Sequence, residues 1–292
     1  MKIKKILTAV LTASMIMPVS SVFADSEEYL VLGKDLTSTE KATVLNLLGV
    51  DNENNYNVSY VTHSDEVKYL SSYISASKIG SRALSSVLMQ KQNTNAGISV
   101  TTKNITYVTA DMYKNALITA GVKDVKLTVA GPFKISGTAA LVAATKSYET
   151  MTGTTLSTTA KDTANNELQV TTDTAKEVGN DDAAKLVASL KQKVAEMGDD
   201  YTRSDGESAL KELENSMNIQ ISDDTEDEIL DLMDKMKDVN LDEDAIKTQA
   251  KDIYESIKGY ASQITSNTSG LSGIAQKVKD FLSTIIDFFT GK

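Results

Sequence analysis

The hydrophobic and polar positions in the first half of the chain alternate between two periods. Short apolar runs typical of strands are separated by stretches in which apolar residues recur on one face of a helix. The predicted strands are residues 28–32, 57–61, 84–90, 98–108 and 125–130. With the intervening helices, the predicted order is β-α-β-α-β-β-α-β-α. Because amphipathic helices must pack on a sheet, this order predicts a mixed α/β sandwich over residues 25–155.

Local signals sharpen several of these elements. Thr37 with Glu40, and Thr62 with Asp65, have the spacing of capping boxes that begin helices. Gly49 predicts the end of the first of these helices. The β-rich runs 84–90 and 98–108 are joined by a short polar segment, which predicts a β-hairpin.

The second half of the chain has a simpler pattern. From about residue 181 to residue 292 the apolar positions keep helical spacing almost throughout, which predicts an acidic α-helical bundle. The segment 156–180 is rich in Thr, Asn, Asp and Lys and has few large apolar residues, so it predicts a linker. The fold class expected for the whole chain is α+β, with the N-terminal mixed α/β sandwich followed by the helical bundle.

The first apolar stretch has a different role from the others. Residues 1–24 combine an early group of lysines, an apolar run and Val22-Phe23-Ala24, which places small residues where signal peptidase requires them. The run is shorter than the ~20 apolar residues that span a bilayer. The pattern predicts a secretory signal peptide cleaved between Ala24 and Asp25, and hence a secreted protein.

Composition excludes several kinds of chemistry. The chain has no cysteine and one histidine, His63, so disulfides, thiol nucleophiles and the usual zinc sites are excluded. No metal and no other cofactor is predicted. The net charge is −10, with the acidic excess in the second half, and such a surface repels nucleic acid.

A set of motifs resembles a known family. The markers are Leu36–Lys41, Ile79–Ser86, Gly97–Ile98, Tyr113–Leu117, Ala120–Val122 and Val129–Leu141. Together they resemble the YpuA-like secreted proteins of Gram-positive bacteria, the domain-of-unknown-function family 1002. The similarity covers residues 27–155 and extends loosely into the helical half. It implies a secreted, envelope-associated protein and names no catalytic residue.

Two places are candidates for binding an anion. In the first, a strand ends and a helix begins near Ser136, Gly137 and Thr138, and the free N–H groups of a helix start suit a phosphate or carboxylate. The alternative is that Ser136 simply caps the helix. In the second, Arg82 lies among small residues that leave room for a guanidinium to bind a carboxylate or phosphate. The alternative there is a tight turn in which Arg82 is paired internally.

No residue is predicted to be catalytic. His63 lies beside Ser64 and Asp65, but sequence neighbours rarely form a triad and no nucleophile elbow accompanies them. The acidic clusters are typical of helix caps, although paired carboxylates for hydrolysis remain an alternative.

We therefore expect a secreted cell-envelope protein with a binding or structural role and an unknown envelope component as its partner. One alternative is a carboxylate-dependent hydrolase of a wall polymer or peptide. The other is a protein that contacts the membrane surface weakly through the amphipathic residues 273–292.

Overall fold

The computed structural model describes residues 28–239 together with residues 241, 242, 245, 246 and 248. The predicted signal peptide, with its predicted cleavage position between Ala24 and Asp25, lies outside the described residues. So does most of the predicted bundle from residue 240 onward, including the amphipathic residues 273–292. Among the described residues, no helix combines the length and apolar character needed to cross a membrane.

Five strands of the described chain form one mixed sheet. They are β1 (Glu28–Gly33), β2 (Asn57–Val61), β3 (Ser86–Lys91), β4 (Ile98–Ile105) and β5 (Val125–Ile135). Their order across the sheet is β2-β1-β3-β5-β4. β1 runs parallel to β2, and β4 runs parallel to β5, whereas β3 is antiparallel to both of its neighbours. The prediction of a mixed sheet is confirmed.

The predicted β-hairpin is wrong, because β5 lies between β3 and β4. The connection from β3 to β4 crosses the start of β5 and is held there by hydrogen bonds, two of them to Asp124. The Gln92 N–H donates to the Asp124 carbonyl oxygen over 2.8 Å, and the Gly97 N–H donates to Asp124 Oδ1 over 2.9 Å. A helix lies between β4 and β5 along the chain, and it allows these two strands to pair in parallel as a β-α-β unit. The closeness of β3 and β4 in the sequence gives no sign of this pairing.

β5 is also longer than predicted, because it continues past Gly131 and Pro132 to Ile135. Lys103 pairs with Ala130 and Ile105 pairs with Ile135, so one residue of β4 faces four residues of β5. Residues 131–134 therefore bulge out of the sheet, which is where proline is tolerated within a strand.

Most helices of the described residues follow the sequence pattern. The helices in this part of the chain are α1 (Ser38–Leu48), α2 (His63–Leu70), α3 (Ala76–Ile79), α4 (Ala110–Thr119), α5 (Ala139–Thr152), α6 (Thr158–Val178), α7 (Asn180–Met197), α8 (Arg203–Met217) and α9 (Asp223–Met236). The short α3 was not predicted, and α6 is discussed below. Both predicted capping boxes are present, at Thr37 with Glu40 and at Thr62 with Asp65. Gly49 ends α1 in the left-handed conformation, as predicted.

Helices cover both faces of the sheet. On one face, Leu30 and Leu32 of β1 join the buried cluster that includes Val44 of α1. On the other face, Val31 joins a larger cluster that includes Leu141 of α5. The side chains of a strand point alternately to its two faces, so the continuous apolar run of β1 is explained by burial on both sides.

The predicted linker at 156–180 is wrong, because this segment contains the helix α6. Its buried face is made of Ala, Thr and Asn as well as Leu168 and Val170, so a search for large apolar residues misses it. Leu168 belongs to the cluster beneath the sheet, and Val170 belongs to the cluster shared by α7, α8 and α9. The α+β class is confirmed, and the second half is helical over α7, α8 and α9, the part of it that the structure describes as elements. The domain boundary itself stays a prediction.

Candidate functional site

A cleft of about 440 Å³ opens where the start of α5 meets the bulge in β5. The other walls are formed by α2 and by the segment 77–85, which includes the end of α3. Its polar lining includes Glu66, Lys78, Arg82, Lys134, Ser136 and Thr138. Arg82 lies more than fifty residues from Ser136 along the sequence, so the cleft is a product of the tertiary fold.

Three of the four residues predicted to bind an anion line this one cleft. They are Arg82, Ser136 and Thr138, and the fourth, Gly137, is buried between the last two. His63 does not line the cleft. The two candidate anion sites of the sequence are thus one place in the structure, and anion binding there stays a prediction.

Gly137 fixes the path of the chain into α5. It has a φ of +94°, in the left-handed region that side chains disfavour. A Cβ at this position would collide with the Tyr113 hydroxyl and with the side chain of Ile105. The Tyr113 hydroxyl donates a hydrogen bond to the Gly137 carbonyl, so α4 holds the loop from behind.

Ser136 does not cap α5, contrary to one interpretation of the sequence. The helix begins at Ala139, Thr138 occupies the N-cap position, and no side chain caps the helix there. The Thr138 hydroxyl instead donates to Glu66 Oε1 over 2.9 Å, and the Ser136 carbonyl accepts from the Val108 N–H. The loop is therefore held by α2 and by the end of the β4–α4 connection.

Glu66 is a buried acid at the floor of the cleft. It is 1 % exposed, and its Oε2 has no hydrogen-bond partner among the described residues. Burial raises the pKa of Glu66 to about 7, the Thr138 hydrogen bond opposes this rise, and the negative charge of Asp35 adds to it. The neutral form of this carboxyl group is therefore well populated near neutral pH.

Arg82 is held in place by an ion pair. Its Nη1 donates to Glu40 Oε1 over 3.1 Å, and its Nη2 donates to Glu40 Oε2 and to the Asp35 carbonyl. Arg82 and the Thr37 N–H lower the pKa of the Glu40 carboxyl to about 2, so the pair stays ionised. The internal pairing that the sequence left open is present, yet 40 % of the Arg82 side chain is exposed.

Two lysines complete the rim of the cleft. Lys78 Nζ lies 4.5 Å from the centre of the Tyr107 ring, whose hydroxyl is 2.9 Å from Thr172 Oγ1 on α6. Lys134 is exposed on the bulge of β5 and forms no ion pair with the described residues. Both ammonium groups are thus available to an anion in the cleft.

The comparisons with known proteins agree with the motifs. A family model described as "Protein of unknown function (DUF1002)" matches residues 32–253. The chain belongs to the DUF1002 family. It is also similar to the uncharacterized protein YpuA of Bacillus subtilis (strain 168), with 34% identity over 258 residues that cover 88% of this chain and 84% of that protein. No solved structure matches.

The lining of the cleft in this DUF1002 protein limits its chemistry. Glu66 is the one acidic side chain among the described residues that line it, so the paired carboxylates of a glycosidase are not found there. No group of three or more His, Cys, Asp or Glu side chains in the described part could hold a metal ion. Three cations, beside one acid whose pKa is raised by burial, suit the binding of an anion.

Sequence reasoning missed Glu66, Lys78 and Lys134. Glu66 looked like an ordinary acid in the first turn of a helix, and nothing local showed that it would be buried. Lys134 lies within the motif Val129–Leu141 on which the resemblance to the family rests. The motif therefore pointed to this region of the chain, but it did not single out Lys134 as a binding residue.

Proposed function

We propose that this DUF1002 protein is a secreted protein of the bacterial envelope that binds an anionic component of that envelope in the cleft. Export is supported by the signal-peptide pattern of residues 1–24. An envelope built around a cell wall offers phosphate and carboxylate groups as ligands. The role we propose is binding.

The observation that carries this proposal is the grouping of cations in an acidic chain. The whole chain has a net charge of −10, yet Lys78, Arg82 and Lys134 surround one cleft. Like charges repel, so such a cluster lowers stability unless it is compensated. Glu40 compensates Arg82, whereas Lys134 has no acidic partner in the described chain. An anionic ligand would supply the missing charge.

Binding is favoured over hydrolysis because of what surrounds Glu66. Carboxylate-dependent hydrolysis of a glycosidic bond requires a second carboxyl group within about 5–10 Å on the other side of the substrate. Among the described residues, the lining of the cleft supplies two lysines and an arginine, and no acidic side chain besides Glu66. These groups hold an anion but offer no second carboxyl group to attack a substrate or to activate water.

A sedimentation experiment tests the proposal. The mature protein, residues 25–292, is mixed with purified Gram-positive cell walls before and after chemical removal of their anionic polymers. We expect Lys134→Glu to weaken sedimentation with native walls about tenfold or more, because it replaces an attractive charge in the cleft by a repulsive one. Lys126→Glu is the matched control, since Lys126 is also exposed on β5 but does not line the cleft.

Two outcomes would contradict the proposal. One is equal sedimentation of the two charge-reversal variants. The other is unchanged sedimentation of the wild-type protein after the wall anions are removed.

Export has its own test. Mass spectrometry of the protein recovered from the medium and the wall fraction should find Asp25 as the first residue. Recovery of the full-length chain from the cytoplasm, with Met1 in place, would refute the secreted role.

A further inference from the structure

The buried carboxyl group of Glu66 has only one of its two oxygens hydrogen-bonded within the described part of the chain. Its Oε1 accepts from the Thr138 hydroxyl over 2.9 Å, while its Oε2 has no partner among the described residues. Buried polar groups are nearly always hydrogen-bonded, and an orphan of this kind costs stability. Glu66 lines the cleft while its Oε2 is itself buried, so a ligand that reaches past the surface of the lining can supply the partner that the chain does not.

We propose that Glu66 recognises the anion as a neutral carboxylic acid, donating a hydrogen bond from Oε2 while Oε1 accepts from Thr138. The ligand group at the floor of the cleft is then an acceptor oxygen of a phosphate, sulfate or carboxylate. This inference rests on the proposed function, since it assumes that the cleft binds an anion.

The negative charge of the bound anion favours the neutral form of Glu66 over the ionised form. An ionised Glu66 would place a negative charge beside the incoming anion and would have no hydrogen to donate. A protonated Glu66 removes that repulsion and supplies a donor to a charged acceptor, which is among the stronger hydrogen bonds in proteins. Burial already raises the pKa of Glu66 to about 7, so little free energy is needed to protonate it.

Other groups around α2 must be considered as sources of pH dependence. The elements near Glu66 contribute Asp35 before α1, Lys78 of α3, Tyr113 of α4, Lys146 of α5, Asp162 of α6, and Arg82 and Lys134 of the cleft; His63 and Asp65 lie on α2 itself. Lysine, arginine and tyrosine side chains keep one charge state between about pH 6 and about pH 8. His63 lies one turn before Glu66 on α2, so its replacement is the control for the pH dependence assigned to Glu66.

The test measures the affinity of the mature protein for sulfate by isothermal titration calorimetry. Sulfate is the probe because its charge does not change between about pH 6 and about pH 8. If the neutral form of Glu66 binds the anion, the wild-type affinity should fall about tenfold over this range, as the neutral fraction does.

Two variants test whether Glu66 is the residue that causes the pH dependence of sulfate binding. Glu66→Gln keeps a donor and an acceptor in place, so it should bind sulfate with a nearly constant affinity and more tightly than the wild type at about pH 8. His63→Gln should keep the wild-type pH profile. A wild-type affinity that is flat or rises with pH would overturn the inference, as would a Glu66→Gln variant that follows the wild-type profile.

The outcome also separates this inference from the proposed function. If sulfate binds and Lys134→Glu weakens it, but the pH profile is flat, the anion site stands and the role of Glu66 fails. If sulfate does not bind at any pH and Lys134→Glu does not affect wall binding, both fail.

Discussion

At the scale of single residues, Glu66 shows how tertiary burial changes the chemistry of an ordinary side chain. Exposed glutamate is ionised at neutral pH, but in this protein the surroundings of Glu66 disfavour the charged form. Burial is the main cause, and Asp35 adds to it. The pKa of Glu40, which pairs with Arg82, shifts in the opposite direction, because Arg82 lowers it to about 2. The pKa values of these two glutamates are thus shifted in opposite directions by their surroundings.

The raised pKa of Glu66 predicts how stability depends on pH. In the unfolded chain the pKa returns to its ordinary value of 4.5, and in the folded protein it is about 7. The folded state therefore binds the proton more tightly, and this contribution is fully present below about pH 4.5 and is lost as the pH rises through about 7. We expect Glu66 to reduce the free energy of unfolding by up to about 3 kcal/mol between about pH 4.5 and about pH 8.

Urea denaturation of the wild type and of Glu66→Gln at about pH 5 and about pH 8 measures this effect. Other groups titrate in both proteins, so the difference between the two proteins isolates Glu66. The variant should gain stability relative to the wild type as the pH rises. An equal change with pH in both proteins would show that Glu66 titrates normally.

At the scale of elements, α6 is held by polar contacts in a place where most helices use apolar ones. Lys191 of α7 and Glu167 of α6 form an ion pair of 2.8 Å with both side chains fully buried. Lys191 Nζ also donates to the Asn115 carbonyl of α4 over 2.8 Å and to Thr119 Oγ1 over 3.2 Å. The Thr119 hydroxyl in turn donates to Glu167 Oε2. Each charged atom of this ion pair therefore has a hydrogen-bond partner, and all of these partners lie on α4, α6 or α7.

This network predicts a large cost for removing one member. Lys191→Met should lower the free energy of unfolding by about 3–5 kcal/mol, because it leaves Glu167 buried and without its counter-charge. The double variant Lys191→Met with Glu167→Leu should recover most of that loss, since apolar residues of similar volume often replace a buried ion pair without a net cost. Chemical denaturation of the single and double variants decides the point; a double variant no more stable than Lys191→Met would contradict it.

At the scale of the whole molecule, α6 connects the two hydrophobic clusters. Leu168 packs in the cluster of the sheet and Val170 in the cluster of the later helices. Ala184 of α7 also belongs to the cluster of the sheet. A helix shared in this way makes the burial of each cluster depend on the other.

We therefore expect the described part of the chain to unfold in one cooperative transition. Calorimetry should give equal calorimetric and van't Hoff enthalpies, as for a two-state protein. Because the chain has no tryptophan, near-ultraviolet circular dichroism of its tyrosines is the second probe. Two separate transitions, or early trypsin cleavage at Lys161 or Lys176, would instead support independent domains joined by a linker.

The sequence by itself determined the elements whose signals are local. Capping boxes such as Thr37 with Glu40 begin helices through contacts within one turn, so their spacing is enough to locate them. The apolar stripes of α7 and α9 likewise needed no knowledge of their partners. The loop 136–138 and Arg82 were recognised as candidate sites for the same reason, because their residue types suit an anion.

The tertiary structure alone decided the order of the strands, the helix α6 and the single cleft. β5 lies between β3 and β4 because of pairing between distant segments, which no local pattern encodes. The buried Thr and Asn residues of α6 are tolerated because partners from other helices satisfy them: the Asn165 amide, for example, donates to the Tyr69 carbonyl. Glu66 became a candidate ligand-binding group only when folding buried it beneath Thr138, since desolvation is a property of the packed molecule.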